Sequence, residues 1–129
     1  MKHLTTIFIT FTIFFSPNTV SEWVQFDRLE EGGGVYLEID TIKESEGFVY
    51  YWGMQDWLVP SESGSLSVQV YYQGDCNKMR VKTLSYVFYT RNMGRGQSDQ
   101  QESVNKNWKY PSPGTAAIGT LVTACAHIN

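Results

Sequence analysis

Residues 71–96, YYQGDCNKMRVKTLSYVFYTRNMGRG, set the tightest limit on what this chain can fold into. Gly74-Asp75-Cys76-Asn77 breaks one strand-like run, the longest such run in the chain follows it, and Met93-Gly94-x-Gly96 closes the stretch as a turn. Such a hairpin needs partners on its flanks, and the runs before it have the pattern to supply them. Leu66, Val68, Val70 and Tyr72 alternate with Ser67, Gln69 and Tyr71, the period-2 signature of a strand with one buried face. Val35, Leu37 and Ile39 alternate with Tyr36, Glu38 and Asp40 in the same way, after the flexible Gly32-Gly33-Gly34 turn. Glu22 to Asp27 gives a first short strand, and Phe48 to Leu58 is apolar or aromatic at both parities, a strand covered on both sides. Within the long run, Lys78, Arg80 and Lys82 share one face with Met79, Val81 and Thr83 opposite. The parity blurs after Leu84, which points to a bulge.

Past the hairpin, Gln97 to Lys106 (QSDQQESVNK) is the most polar stretch and reads as an exposed loop. Ser112-Pro113 supplies an N-cap and a first-turn proline, and Ile118, Leu121, Val122 and Cys125 fall on one stripe of a helix spanning 113–126. The residues therefore predict an α+β fold: one antiparallel sheet of about five to six strands with a C-terminal helix packed on it.

The N-terminus reads as a leader. One basic residue precedes the apolar run Leu4 to Phe15, and Pro17, Thr19 and Ser21 follow, so residues 1–21 form a signal peptide and residues 22–129 the mature domain. The run is too short to span a bilayer comfortably, since a membrane helix needs roughly 20 apolar residues, and a short N-terminal anchor is the alternative. Export implies an oxidising compartment, where two cysteines pair by default. A Cys76–Cys125 bridge would close a loop of about 50 residues, worth about 4 kcal/mol on the chain-entropy account. Two buried free thiols are the alternative on residue chemistry alone.

The chain carries a net charge of −3, and removing the leader takes away Lys2 and no acid. An acidic domain lacks the basic surface of a nucleic-acid binder. Nucleophilic catalysis is disfavoured because His127, the one histidine outside the leader, lies in the C-terminal tail. No His/Cys cluster has zinc spacing, no acidic loop has the calcium pattern, and Met93-Gly94-Arg95-Gly96 lacks the lysine of a phosphate loop. No cofactor or metal is expected. Glu38, Asp40, Glu44, Glu46, Asp56 and Asp75 would serve a glycosidase only if two of them faced across a cleft, and Asp75 reads instead as a turn cap. What remains is binding. Lys78, Arg80 and Lys82, with Arg91 and Arg95 nearby, form a basic stripe, or else an ordinary solvated strand face. Tyr36, Tyr51 and Tyr71 suit contact with a partner chain, a second copy, or the core.

The ordered set Tyr71-Tyr72-x-x-Asp75-Cys76, Lys78-x-Arg80, Leu84-Ser85-Tyr86-x-x-Tyr89, Met93-Gly94-x-Gly96, Trp108-x-Tyr110-Pro111-x-Pro113-Gly114-Thr115 and a closing Cys125 resembles the bacterial surface-adhesin protein E family. Trp23, the Tyr36–Asp40 strand and Tyr51-Trp52 before Asp56 extend the resemblance over nearly the whole mature chain. It implies an antiparallel sheet with a helix tied to it by a Cys76–Cys125 disulfide. It also implies a non-enzymatic exported protein that contacts a protein or extracellular-matrix partner at the cell surface. The family's founding member is a surface lipoprotein, and no cysteine here lies near the leader boundary. The alternative is therefore a periplasmic, envelope-associated structural or inhibitor-like binder.

Overall fold

The computed structural model describes residues 22–128, so the leader expected over 1–21 and its expected cleavage point lie outside the described residues. Seven antiparallel strands form one sheet: β1 (Trp23–Arg28), β2 (Gly34–Glu38), β3 (Lys43–Ser45), β4 (Phe48–Asp56), β5 (Ser67–Asp75), β6 (Arg80–Arg91) and β7 (Arg95–Glu102). Their spatial order is β1-β2-β4-β5-β6-β7, and β3 also pairs with β4. One helix, α1 (Ala116–His127), follows and is joined to the sheet by the Cys76–Cys125 disulfide. The architecture expected from the residues is the one observed.

Local chemistry explains the joints. The polar KESEG stretch is itself a small hairpin, with Ser45 opposite Phe48 across Glu46-Gly47. Both turn residues have positive φ (52° and 86°), the mirror-image turn that matches strand twist, and glycine takes the second position without a Cβ penalty. A bulge accounts for the blurred parity, and the register places it: Tyr71 pairs with Ser85 and Tyr72 with Thr83, so Leu84 is the extra residue. It moves Tyr86 and Phe88 to the opposite face from Arg80 and Lys82, which is why the parity blurs there.

Three expectations are corrected. The loop expected over 97–106 is largely strand β7, whose residues are all exposed. Its backbone pairs with β6 along one edge and neither face is buried, so no apolar alternation marks it. The helix begins at Ala116 rather than Pro113, with Thr115 as N-cap accepting from the Ile118 N–H. Pro113 keeps Ser112 out of the helical region, and Gly114 is left-handed (φ 79°), so the helix forms only beyond them. Finally, Lys78 is in the turn before β6, because Met79 takes φ 50° and ends the turn there.

The core lies between α1 and one face of the sheet. Leu37, Val49, Tyr51 and Val81 from the strands meet Leu121, Ala124 and Cys125 from the helix. Tyr51, read from sequence as a candidate contact residue, is 1% exposed and belongs to this core. Gly74 leaves room for the helix: a Cβ there would lie 2.7 Å from Leu121 Cδ1 and 2.8 Å from Val49 Cγ1. Tyr51 stacks on Tyr72 across β4 and β5, with ring centroids 5.3 Å apart. Burial, reinforced by the neighbouring Tyr72, pushes the Tyr51 phenol up, and a hydrogen bond with Thr120 only partly offsets this. Burial likewise pushes Tyr72 up to about 12, with Tyr86 adding to the effect.

These phenols give the fold an alkaline limit. Their native pKa values lie above the ordinary 10.0, so the unfolded chain gives up these protons first. Stability is then fully present below pH about 10 and falls as pH rises toward about 12. Urea midpoints measured across this window, with tyrosinate absorbance read alongside, should decline together. A flat midpoint would contradict the burial assigned to Tyr51 and Tyr72.

Candidate partner-binding surface

The face of the sheet away from α1 carries Phe48, Tyr50 and Trp52 on β4, Tyr71, Gln73 and Asp75 on β5, and Arg80 and Lys82 on β6. Two structures close over its ends and leave the middle half-buried. At one end the Asn92–Gly94 turn folds over Met54. The Met93 N–H and Asn92 Nδ2 donate to Asp56 Oδ1 at 2.7 and 3.1 Å, and the Gly94 N–H donates to Ser67 Oγ at 2.9 Å. The Ser67 hydroxyl in turn donates to the Arg91 carbonyl at 2.7 Å. The Met-Gly-x-Gly motif is thus a turn held by Asp56 and Ser67.

At the other end, residues 103–110 run back along β6. The Ser103 N–H donates to the Leu84 carbonyl, and Val81 and Lys109 exchange both backbone hydrogen bonds at 2.9 Å. This register delivers Trp108 to the basic strand. Its ring lies 4.3 Å from the Arg80 guanidinium carbon, 4.5 Å from Lys82 Nζ and 5.6 Å from the Phe48 ring. Both cations therefore sit over an aromatic face, an attraction worth about 0.5–1 kcal/mol where solvent is near. In the middle of the face, Tyr71 stacks against Trp52 at 4.7 Å and lies 6.1 Å from Tyr50.

The three basic residues singled out from sequence are not equivalent here. Arg80 Nε donates to Asp75 Oδ2 at 2.9 Å, so its charge is matched. Asp75 also accepts from the Asn77 and Lys78 N–H groups at 3.1 and 3.2 Å, which is the turn cap expected of it. Burial works against the ionised Asp75, but the Arg80 bond and the two backbone N–H groups outweigh it and hold the carboxyl below its usual range. Lys78 is exposed in the turn. Lys82 has no acidic partner among the described residues, and it is the cation that this face leaves unmatched.

Asp56 and Asp75, the two candidate carboxylates that cap turns, do not face each other across a cleft. Asp56 lies opposite Ser67 and Asp75 ends the same strand, β5, so the two stand roughly 26 Å apart at about 3.3 Å per residue. Each is committed to a turn. Glu44 and Glu46 sit on the exposed β3 hairpin, and His127 is exposed in the last turn of the helix. Among the described residues, no three His, Cys, Asp or Glu side chains are grouped to hold a metal ion. No helix among them is long and apolar enough to cross a membrane. Trp108 is the contributor that residue patterns did not reveal, since only strand register places it on Arg80 and Lys82.

These features define a class: a sheet-and-helix module stapled by a disulfide, with one sheet face under the helix and the other presenting aromatics and an unmatched lysine. The chain belongs to the surface-adhesin protein E family, whose sequence profile matches residues 23–126. Solved structures of Haemophilus influenzae protein E share the fold. Crystal form II superposes with a TM-score of 0.62 at 17% identity, covering 82% of this chain and 88% of that one. The selenomethionine form gives 0.63 at 16%, covering 82% and 87%. Protein E from non-typeable H. influenzae gives 0.60 at 16%, covering 85% and 79%. Among curated proteins, none matches the chain in sequence.

Proposed function

We propose that the mature domain, residues 22–129 after loss of a signal peptide spanning 1–21, is a non-enzymatic adhesin that binds a protein or extracellular-matrix partner at the cell surface. The observation that carries this reading is Lys82 held over Trp108 without an acidic partner, beside a half-buried row of Tyr50, Trp52 and Tyr71. Aromatic and basic side chains fixed in place, with little rotamer freedom left to lose, are the residues that anchor protein interfaces. An acidic patch on the partner would complete the lysine, and the tyrosines and tryptophan would supply the buried area. Family membership supports the adhesive role. A second reading is an envelope-associated structural or inhibitor-like binder in the periplasm, which would use the same Lys82 face on an envelope partner.

The test has two arms. In the first, the oxidised domain is passed over immobilised matrix proteins. Lys82→Ala should weaken binding by roughly tenfold, the scale of one interface anchor. Lys78→Ala, in the exposed turn, should leave it unchanged. Binding that survives Lys82→Ala and Trp108→Ala together sinks this face as the contact. In the second arm, cells are fractionated and the intact mass is read in each fraction. A processed chain at the surface or in the medium supports adhesion, and one confined to the periplasm leaves only the second reading.

A further inference from the structure

The helix-bearing face of the sheet holds a recess beyond the area α1 covers. It lies where β6 and β7 run under the Ser61–Ser65 loop and has a volume of about 410 Å³. That is within the roughly 300–1,000 Å³ span of small-ligand sites. Its one aromatic is Phe88, which the Leu84 bulge turns to this side and which stacks on Tyr86 with centroids 5.9 Å apart. All other lining side chains are hydroxyls, amides or a carboxylate.

The polar groups are partly fixed and partly free. Thr90 Oγ1 accepts from the Gln97 N–H at 2.9 Å, and Asp99 Oδ2 accepts from Gln101 Nε2 at 3.0 Å. The Ser63 hydroxyl bridges those of Ser61 and Ser65 at 3.0 and 3.3 Å. These bonds brace the walls, while Asp99 Oδ1, Gln101 Oε1 and the Gln97 side-chain amide have no protein partner among the described residues. Amides and hydroxyls both donate and accept, and a carboxylate only accepts. A matching ligand offers hydroxyl groups around its rim, an apolar C–H face for the Phe88 ring, and no negative charge, because the single charged wall group is Asp99.

Those requirements describe a neutral pyranose. We infer that this recess is a binding site for a neutral hexose unit of a glycan, separate from the Lys82 face on the other side of the sheet. Phosphorylated, sulfated or sialylated sugars are disfavoured, since the recess has no cation to meet them and Asp99 would repel them. A site built to hydrogen-bond hydroxyls discriminates strongly, because an ill-matched ligand leaves its polar groups unpaired.

The experiment is an amide NMR titration of the oxidised protein with methyl glycosides of glucose, galactose and mannose, using sialyllactose and a heparin oligosaccharide as anionic probes. At least one neutral glycoside should shift the Ser63, Thr90 and Asp99 resonances with millimolar affinity. Asp99→Ala should weaken that binding roughly tenfold by removing a charge-assisted hydrogen bond. Asp99→Asn, which keeps an acceptor, should fall between the two. Asp99 is exposed on an edge strand, so these variants keep the fold, and their spectra away from the recess report it. Silence from every neutral glycoside, shifts unaltered by Asp99→Ala, or a response to the anionic probes alone would each overturn the proposal.

Discussion

Replacing Cys76 and Cys125 together by alanine lowers the free energy of unfolding by about 4 kcal/mol. The two residues are separated by 49 positions, and the bridge removes from the unfolded chain the freedom of a loop that size. Total stabilities of small domains run to roughly 5–15 kcal/mol, so this one bond is a large share of what holds the fold. Its placement explains the leverage. Cys76 opens the turn between β5 and β6, and Cys125 lies in the last turn of α1, so the bond fastens the far end of the helix to the sheet. Alanine is the proper substitute, since Cys125 packs in the core, where a serine hydroxyl would need a partner of its own. Urea unfolding followed by tryptophan fluorescence should show an earlier midpoint and a steeper slope, because the uncrosslinked chain expands further when unfolded. A loss under about 1 kcal/mol would mean that helix packing alone carries the fold and that the entropic account fails here.

Much of this architecture is legible in residue patterns because burial on one face writes itself into alternation. Val68, Val70 and Tyr72 announce β5, Leu37 marks β2, and the parity slip past Leu84 announces a bulge that register then places. Strand β7 is illegible for the complementary reason. RGQSDQQE buries neither face, so backbone hydrogen bonds to β6 are all that make it a strand. Arg95, Asp99 and Glu102 also suit an edge that has no further neighbour, as charges there discourage pairing with other chains. Ser112-Pro113 carries a genuine capping pattern, but the left-handed Gly114 overrides it and the helix starts at Ala116.

The candidate surface was legible only in part. Arg80 and Lys82 stand out as basic residues on one strand, and Asp75 as a turn cap. No local pattern says that Arg80 is already matched by Asp75, or that Trp108 comes to lie over Lys82. Those facts depend on the Val81–Lys109 pairing, a contact between distant parts of the chain. The recess beside Phe88 has the same origin, since its walls come from Ser63 and Ser65 on one loop and Gln97 to Gln101 on a distant strand. Tyr51 shows the limit from the other side. An aromatic at an ambiguous parity can belong to either face, and only the Tyr51–Tyr72 pairing under Thr120 assigns it to the core.

Truncating Leu121 to alanine costs about 3 kcal/mol, within the 2–5 kcal/mol span for a buried leucine. Leu121 is fully buried and faces Gly74, the strand position whose missing side chain lets the helix approach. The cost combines lost burial with an unfilled space, because β4 and β5 are held by paired backbones and cannot collapse inward. Gly74→Ala makes the opposite error: its methyl would meet Leu121 Cδ1 and Val49 Cγ1 below 3 Å, so it should cost about 1–3 kcal/mol by overpacking. The two changes share one volume, so they should not add. In the double variant the new methyl occupies space that Leu121 has vacated, and the total loss should be smaller than the sum of the singles. Chemical denaturation of the four oxidised proteins gives this coupling directly. Strict additivity would show that Leu121 and Gly74 do not meet, and that α1 sits elsewhere on the sheet. A coupling of about 1 kcal/mol or more would confirm that one helix leucine seated over one strand glycine fixes how closely helix and sheet can approach.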